Sequence, residues 1–317
     1  PVSGIPFTHS STIEGATFEP GEPLPGCTWD PTGTIWYAFT APESASVMAE
    51  IPWTNFSPYL GVYTGDSLGD LTEIASICWN NRLAFQASAG TTYYIQVGGL
   101  YGQTGPLEFS LVTAPPPWVS FSPYPYPPSI YDTVGFSVSW SDPAGVGIET
   151  FEWDLGDGTT ATVCCPTHSY ATDGEYLVEL VATTYDGRTC SDSQIMQVET
   201  HDVAITEFRT PNRAGAGETH QIVVSLNNRE QYSEYVHVSL FKSVLGGWEQ
   251  IAYDHGDVPV HKANRTVDFE FSYTFTDEDA LVGKVSFKAL VDLGESRDAL
   301  PADNEVISLP TLLKPLH

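Results

Sequence analysis

Apolar and polar residues alternate with a period of two along most of this 317-residue chain. The runs TIWYAFTA, SVMAEI, YLGVYTG, RLAFQAS, TTYYIQVGG and LEFSLVTA are rich in β-branched and aromatic residues, as half-buried strands are. Apolar spacing of three and four residues is nowhere sustained over ten positions, so the pattern predicts strands and little helix. Turn chemistry separates the runs, at Ala89-Gly90, Asp157-Gly158, Asp173-Gly174 and Asp186-Gly187. Such a chain is expected to be all-β, folded as consecutive antiparallel β-sandwiches.

Two shifts in this rhythm mark boundaries. Residues 114–128, APPPWVSFSPYPYPP, carry proline at a density that fixes an extended, semi-rigid spacer. Near residue 200 the strand SQIMQVET stops and HDVAITEF begins. Three units follow from this: 1–114, 115–200 and 201–317, each long enough to bury a core. The end segments PVSGIPFTHSSTIEG and LPTLLKPLH stay disordered unless tied down, either as a strand added to a neighbouring subunit's sheet edge or by docking on their own chain.

Composition narrows the function. Charged residues make up 16%, and 40 acidic against 12 basic side chains give a formal net charge of -28. With no basic stripe to displace phosphate counterions, nucleic acid is excluded as a partner, and anionic membrane surfaces are disfavoured. No apolar run is long enough to span a bilayer, so membrane insertion is not expected. No charged-then-apolar leader precedes Pro1, which fits a removed signal peptide or an excised fragment. The domain reading puts Cys27 and Cys78 in one unit and Cys164, Cys165 and Cys190 in another. It predicts one disulfide from Cys27 to Cys78 and a second from Cys190 to either Cys164 or Cys165, each stabilising its unit by about 3 to 4 kcal/mol. That points to an oxidising, extracellular compartment.

Residues 1 to about 114 resemble the pre-peptidase C-terminal (PPC) type of domain, a jelly-roll-like β-sandwich, through GTIWYAFTAPESASVMAEI, YLGVYTGDSLGDLTEIASICWNN and LAFQASAGTTYYIQVGG. Trp79-Asn80-Asn81 stands where relatives often carry an acidic pair. FEWDLGDGTTAT followed by HSYATDGEYLVELVATTYDG resembles a PKD domain, an immunoglobulin-like sandwich. Here Trp153 is the inward aromatic plug, and Gly156-Asp157-Gly158 supplies positive-φ positions for a tight hairpin. Tyr170 and Tyr176 bracket the Asp173-Gly174 turn. Residues 201–317 resemble a CARDB-type domain, also immunoglobulin-like, through DVAITEF, AGETHQIVVSLNN, YVHVSLFK and ADNEVISL. The stretch GGWEQIAYDHGDVPVHKANRT is read as an elaborated hairpin.

One stretch resembles catalytic chemistry. Gly65-Asp66-Ser67-Leu68-Gly69 satisfies the G-x-S-x-G pattern of a nucleophile elbow. That elbow needs a helix after the serine and a histidine base. LTEIASICWN is short and β-compatible, no Asp-x-x-His occurs, and the eight histidines form no metal pairing; His255 and His261 flank Asp257 in what reads as a solvated loop. Ser67 is therefore a loop residue, with Leu68 and Leu71 packing back onto the sandwich, and no catalytic residue is expected. The acidity leaves calcium as the one expected ligand ion, with Asp66, Asp70, Asp154, Asp157 and Asp303 as the candidate ligands. Trp53, Tyr59, Tyr101, Trp118, Tyr124 and Tyr126 lie outside obvious strands, able to stack on sugars or to cement domain contacts. Asn55 and Asn264 head glycosylation sequons.

These resemblances imply a non-catalytic, secreted or cell-surface structural and adhesive protein of a prokaryote, self-associating into a filament or matrix or binding other surface proteins and polysaccharide. The alternative is an accessory region of a secreted peptidase or glycoside hydrolase that binds polysaccharide or protein substrate.

Overall fold

The computed structural model describes residues 1–28, 31–260 and 265–315. Regular structure is almost entirely antiparallel strand, as the alternation predicts. The one α-helix among the described residues, Asp277–Val282, is a single short segment started by a Thr276/Asp279 capping box and stopped at Gly283, φ 82°. No helix among them is long and apolar enough to cross a membrane. The chain gathers into two compact units, one of Pro1–Ser122, Phe136–Pro166 and Leu177–Gln194, the other of Pro123–Gly135, Thr167–Tyr176 and Ile195–His317.

The first unit contains a sandwich of two four-stranded sheets. One has the order Phe7–Thr12, Pro106–Thr113, Ala45–Thr54, Arg82–Ala87; the other Pro31–Thr40, Thr92–Leu100, Pro58–Thr64, Thr72–Cys78. Alternate residues of both face inward, and Phe39, Ile51, Leu60, Ile95 and Phe109 are fully buried. Each such side chain contributes about 1.5 to 3 kcal/mol by leaving water. Cys27 and Cys78 form the expected disulfide, Cα atoms 5.8 Å apart, and pack beside Tyr59 and Leu100.

In the same unit Ile148–Asp154 pairs with Thr160–Ala161 on one side and with residues 179–184 on the other. Trp153, 2% exposed, packs its ring 5.1 Å from Phe121 and 5.5 Å from Phe136, and its Nε1 donates to the Val163 carbonyl at 3.1 Å. Gly156 and Gly158 take φ of 85° and 90°. A Cβ on Gly156 would also sit 2.7 Å from the Leu177 carbonyl oxygen, so only glycine fits.

The second bridge expected from the sequence is absent: Cys164, Cys165 and Cys190 are free. The sheet order explains it. Cys190 sits on Thr189–Val198, at one edge, whereas the vicinal pair follows Thr160–Ala161, at the other, with two strands between. Strands lie about 4.8 Å apart, so the two edge strands stand about 14 Å from each other, beyond the roughly 7 Å between Cα atoms that a disulfide tolerates. The sulfurs of Cys164 and Cys165 lie 3.1 Å from each other instead.

A buried ion network ties the loops of the first unit together. Arg188 bonds both oxygens of Asp142, at 2.9 and 3.1 Å, and Asp186 at 2.8 Å, and donates to the Pro115 carbonyl. Its side chain is 10% exposed, those of Asp142 and Asp186 1% and 3%. Asp142 further accepts the amides of Ala144, Val146 and Gly147, and Asp186 accepts the Ser46 hydroxyl of the sandwich. Burial alone would raise both carboxyls; Arg188 and the surrounding donors outweigh it and hold them below the usual range.

The second unit is built from Ala204–Arg209, Thr219–Asn227 and Val267–Thr274 facing Gly247–Val258, Glu234–Val244, Phe287–Asp292 and Glu305–Ile307. Val224, Val238, Phe287 and Ala289 are among its fully buried residues. After the turn at Gly246, the irregular-looking GWEQIAYDHGDV is one strand, Gly247–Val258, paired with Glu234–Val244 through one register shift. Tyr170 lies between His168 and Tyr176, ring centroids at 4.7 and 4.3 Å. Both end segments dock on their own chain: Phe7–Thr12 on Pro106–Thr113, and Thr311–Leu313 parallel to Arg213–Ala214.

Replacing Arg188 by Ala strands two buried carboxylates and is expected to cost about 3 to 5 kcal/mol of unfolding free energy. Arg188→Lys recovers little, because an ammonium cannot form the paired bonds. Because the folded pKa values of Asp142 and Asp186 are depressed, their stabilisation is complete above the unfolded carboxylate pKa of about 3.9 and lost as pH falls below it. Urea titrations at pH 7 and pH 3 read both effects; an Arg188→Ala curve overlaying wild type at pH 7 contradicts them.

Candidate functional site

The G-x-S-x-G segment forms the connection between strands Pro58–Thr64 and Thr72–Cys78, with a three-residue 3-10 turn, Leu68–Asp70, after the serine. Ser67 Oγ donates to Asp70 Oδ2 at 2.6 Å, and the Asp70 amide returns to the Ser67 carbonyl at 3.0 Å. The loop thus closes on itself. A Cβ at Gly65 would lie 2.7 Å from the Asp70 carbonyl oxygen, which accounts for that glycine. A depression of about 280 Å3 beside it is lined by Trp36, Asp66, Ser67, Leu68, Leu71 and Tyr94, with no histidine among them. Leu71 is half-buried, but Leu68 is 40% exposed: the 3-10 turn rotates it outward rather than back onto the sandwich.

The acidic residues singled out from sequence are not gathered into a ligand set. Asp70 holds Ser67, Asp154 accepts the Gly156 amide at 2.9 Å, and Asp157 accepts the Thr159 amide at 3.0 Å. These are turn bonds of the kind aspartate makes locally. Among the described residues one group of three metal-ligating side chains comes within ligand reach, Asp202, Asp298 and Asp303. Sequence reading reached only Asp303. Asp298 belongs to an acid-rich loop that could have drawn attention, but Asp202 comes from the opening of the unit and only the fold brings it there.

Burial, followed by the nearby Asp298, Asp303 and Glu230, pushes the Asp202 carboxyl up to about 7. Burial and Asp298 likewise raise Asp303. Asp298 is oriented by amides, accepting from Val203 at 3.3 Å and Leu300 at 2.8 Å.

The loop aromatics divide. Trp53, Tyr101, Trp118, Tyr124 and Tyr126 are exposed, but Tyr59 is fully buried. Gly98 makes that possible: a Cβ there would lie 2.4 Å from the Tyr59 ring. Trp79, which sequence marks only as standing in place of an acidic pair, is 65% exposed and holds a positive φ of 62°, as Tyr101 does at 55°. Left-handed backbone is uncommon for bulky side chains and calls for a local explanation. A shallow groove of about 630 Å3, lined by Ile74, Ile77, Arg82, Phe85 and Tyr185, also lies in the first unit.

His255 does not sit in a loop. It stands on Gly247–Val258 directly opposite His237, whose Nδ1 is hydrogen-bonded to the Tyr253 hydroxyl at 2.6 Å. His261, the other histidine of the stretch read as a solvated loop, and Asn264 of the sequon lie outside the described residues.

Residues 129–200 match the family model of the PKD domain. Over 98 residues the chain is 38% identical to a microbial collagenase of Vibrio alginolyticus, a match covering 27% of this chain and 12% of that protein. The chain therefore spans only a small part of the relative's length. The PKD1 domain of the Vibrio cholerae metalloprotease PrtV is similar at 29% identity, covering 27% of this chain and 100% of that one, with a TM-score of 0.25. A CARDB domain from Pyrococcus furiosus, solved in complex with di-metal ions, is similar at 15% identity over 37% of this chain and 90% of that one, with a TM-score of 0.30.

The Ser67 geometry makes a direct prediction. Ser67→Ala removes one exposed hydrogen bond, so stability is expected to shift by no more than about 1 kcal/mol and background hydrolysis of p-nitrophenyl esters to stay unchanged. Ester turnover that disappears in the variant contradicts this assignment.

Proposed function

We propose that this chain works outside the cell as a non-catalytic structural and adhesive array of β-sandwiches, at 1–114, 115–200 and 201–317, that self-associates into a filament or matrix. The observation that carries the reading is how chemically able side chains are used. Ser67, Asp70, Asp154 and Asp157 are bonded within their own turns, and Arg188, Asp142 and Asp186 are committed to a joint. What faces solvent is aromatic surface: Trp53, Trp79, Tyr101, Trp118, Tyr124 and Tyr126. Exposed aromatics of this kind serve contact with other surfaces. The PKD segment and the Cys27–Cys78 disulfide support an oxidising, extracellular setting.

A second reading is favoured by the collagenase match, which falls at 38% identity. In it the chain is the accessory region of a secreted peptidase or glycoside hydrolase, and the aromatics hold polysaccharide or protein substrate while a catalytic domain cuts it.

Negative-stain imaging of the purified chain at high concentration, paired with co-sedimentation on insoluble polysaccharide and on collagen fibres, separates the two. Ordered polymers are the expected result. Monodisperse particles that co-sediment with a substrate, and lose it in a Trp79→Ala/Tyr101→Ala variant, select the accessory reading. Monodisperse particles that bind neither substrate overturn both.

A further inference from the structure

Asp202, Asp298 and Asp303 of the second unit each offer a carboxylate oxygen, and the three oxygens lie within 4.8 Å of one another. Oxygens that close can share one divalent cation, and calcium, which takes about six to eight oxygen ligands in a flexible geometry, tolerates a set drawn from separate loops. The fold enforces the meeting. Asp202 stands just before strand Ala204–Arg209, Asp298 is fixed by a bridge from His201 and by two amides, and Asp303 closes the 3-10 turn Pro301–Asp303.

Acids in proximity do not by themselves make a site; orphaned buried oxygens do point to a missing partner. Asp202 is 9% exposed and Asn304 5%, and the Oδ1 atoms of Asp202, Asp303 and Asn304 are all buried without a hydrogen-bond partner. Such atoms forfeit hydration with nothing in return, and native structures seldom leave them so. Among the described residues no ion pair reaches any of the three carboxylates. Of the basic groups next to them in sequence, Arg297 is bonded to Asp132, and His201 to Glu234 with Glu199 close by. Glu230 adds a further negative charge near Asp202. A hard divalent cation is the class of ligand that accepts several oxygens and offsets several negative charges at once.

We infer that Asp202, Asp298 and Asp303 form a calcium site that fastens the loop 293–304 to the start of strand Ala204–Arg209.

The test uses the full chain, stripped with a chelator and titrated with calcium chloride by calorimetry, alongside thermal melts and terbium luminescence. A single saturable site is expected, with the melting midpoint rising by several degrees in millimolar calcium. Asp202→Asn or Asp298→Asn each weakens binding by at least about tenfold, since affinity follows ligand charge, while the exposed pair Asp66→Asn/Asp70→Asn leaves it unchanged. Wild type and Asp298→Asn binding calcium alike, or no movement of the midpoint, overturns the site and leaves only diffuse screening of a chain of net charge -28. Should Asp202→Asn fail to fold, Asp303→Asn read by terbium luminescence decides: loss of the saturable signal supports the site, and its persistence overturns it.

Discussion

The guanidinium of Arg188, held between Asp142 and Asp186, is the charge on which the loops of the first unit converge. A buried arginine needs its carboxylates for more than attraction: taken from water alone, each of the three ions would cost several kcal/mol. The fold therefore has to supply all three together, and with them the Ser46 hydroxyl, the Pro115 carbonyl and the amides of residues 144, 146 and 147. One planar group thereby ties together three separate stretches of sequence, at 115, 142 and 186, and Asp186 brings in a fourth through the Ser46 hydroxyl. The apolar cores could tolerate conservative exchanges of shape and volume; this arrangement of donors and acceptors could not.

The second unit poses the opposite electrostatic problem. Its carboxylates at 202, 298 and 303 converge without a cation among the described side chains, and burial with these neighbours raises the Asp202 carboxyl to about 7. With 40 acidic and 12 basic residues the chain cannot pair every carboxylate internally. Where it does pair them, as at Arg188, the result is a joint; where it does not and the oxygens are buried, an ion from solution becomes the economical solution.

Much of the fold was legible because a strand's side chains alternate and the sequence alternates with them. The tight hairpin around Gly156 and Gly158, the plug at Trp153 and the Cys27–Cys78 bridge all rest on local or composition-level signals. What escaped was long-range. Cys190 was assigned to the vicinal pair because all three lie in one stretch of sequence, but sheet order sets them at opposite edges. The burial of Tyr59, grouped from sequence with the loop aromatics, escapes local reading because Gly98, which vacates its space, belongs to another strand. The candidate calcium ligands Asp70, Asp154 and Asp157 have turn partners two or three residues away, while Asp202 and Asp298 are 96 positions apart and meet only after folding.

The Cys27–Cys78 bridge also limits how far the first sandwich can be drawn out. Phe7 lies opposite Leu111 and Thr12 opposite Pro106, so tension entering at residue 7 and leaving after residue 113 acts at the same end of that strand pair and peels it bond by bond. The peel reaches a covalent stop. The cysteines are 51 residues apart in sequence, so roughly 170 Å of contour length, at about 3.3 to 3.6 Å per residue, stays out of reach of the load. The bridge thus acts on extension as well as on stability, turning a sandwich that yields from its edge into a tether of bounded length.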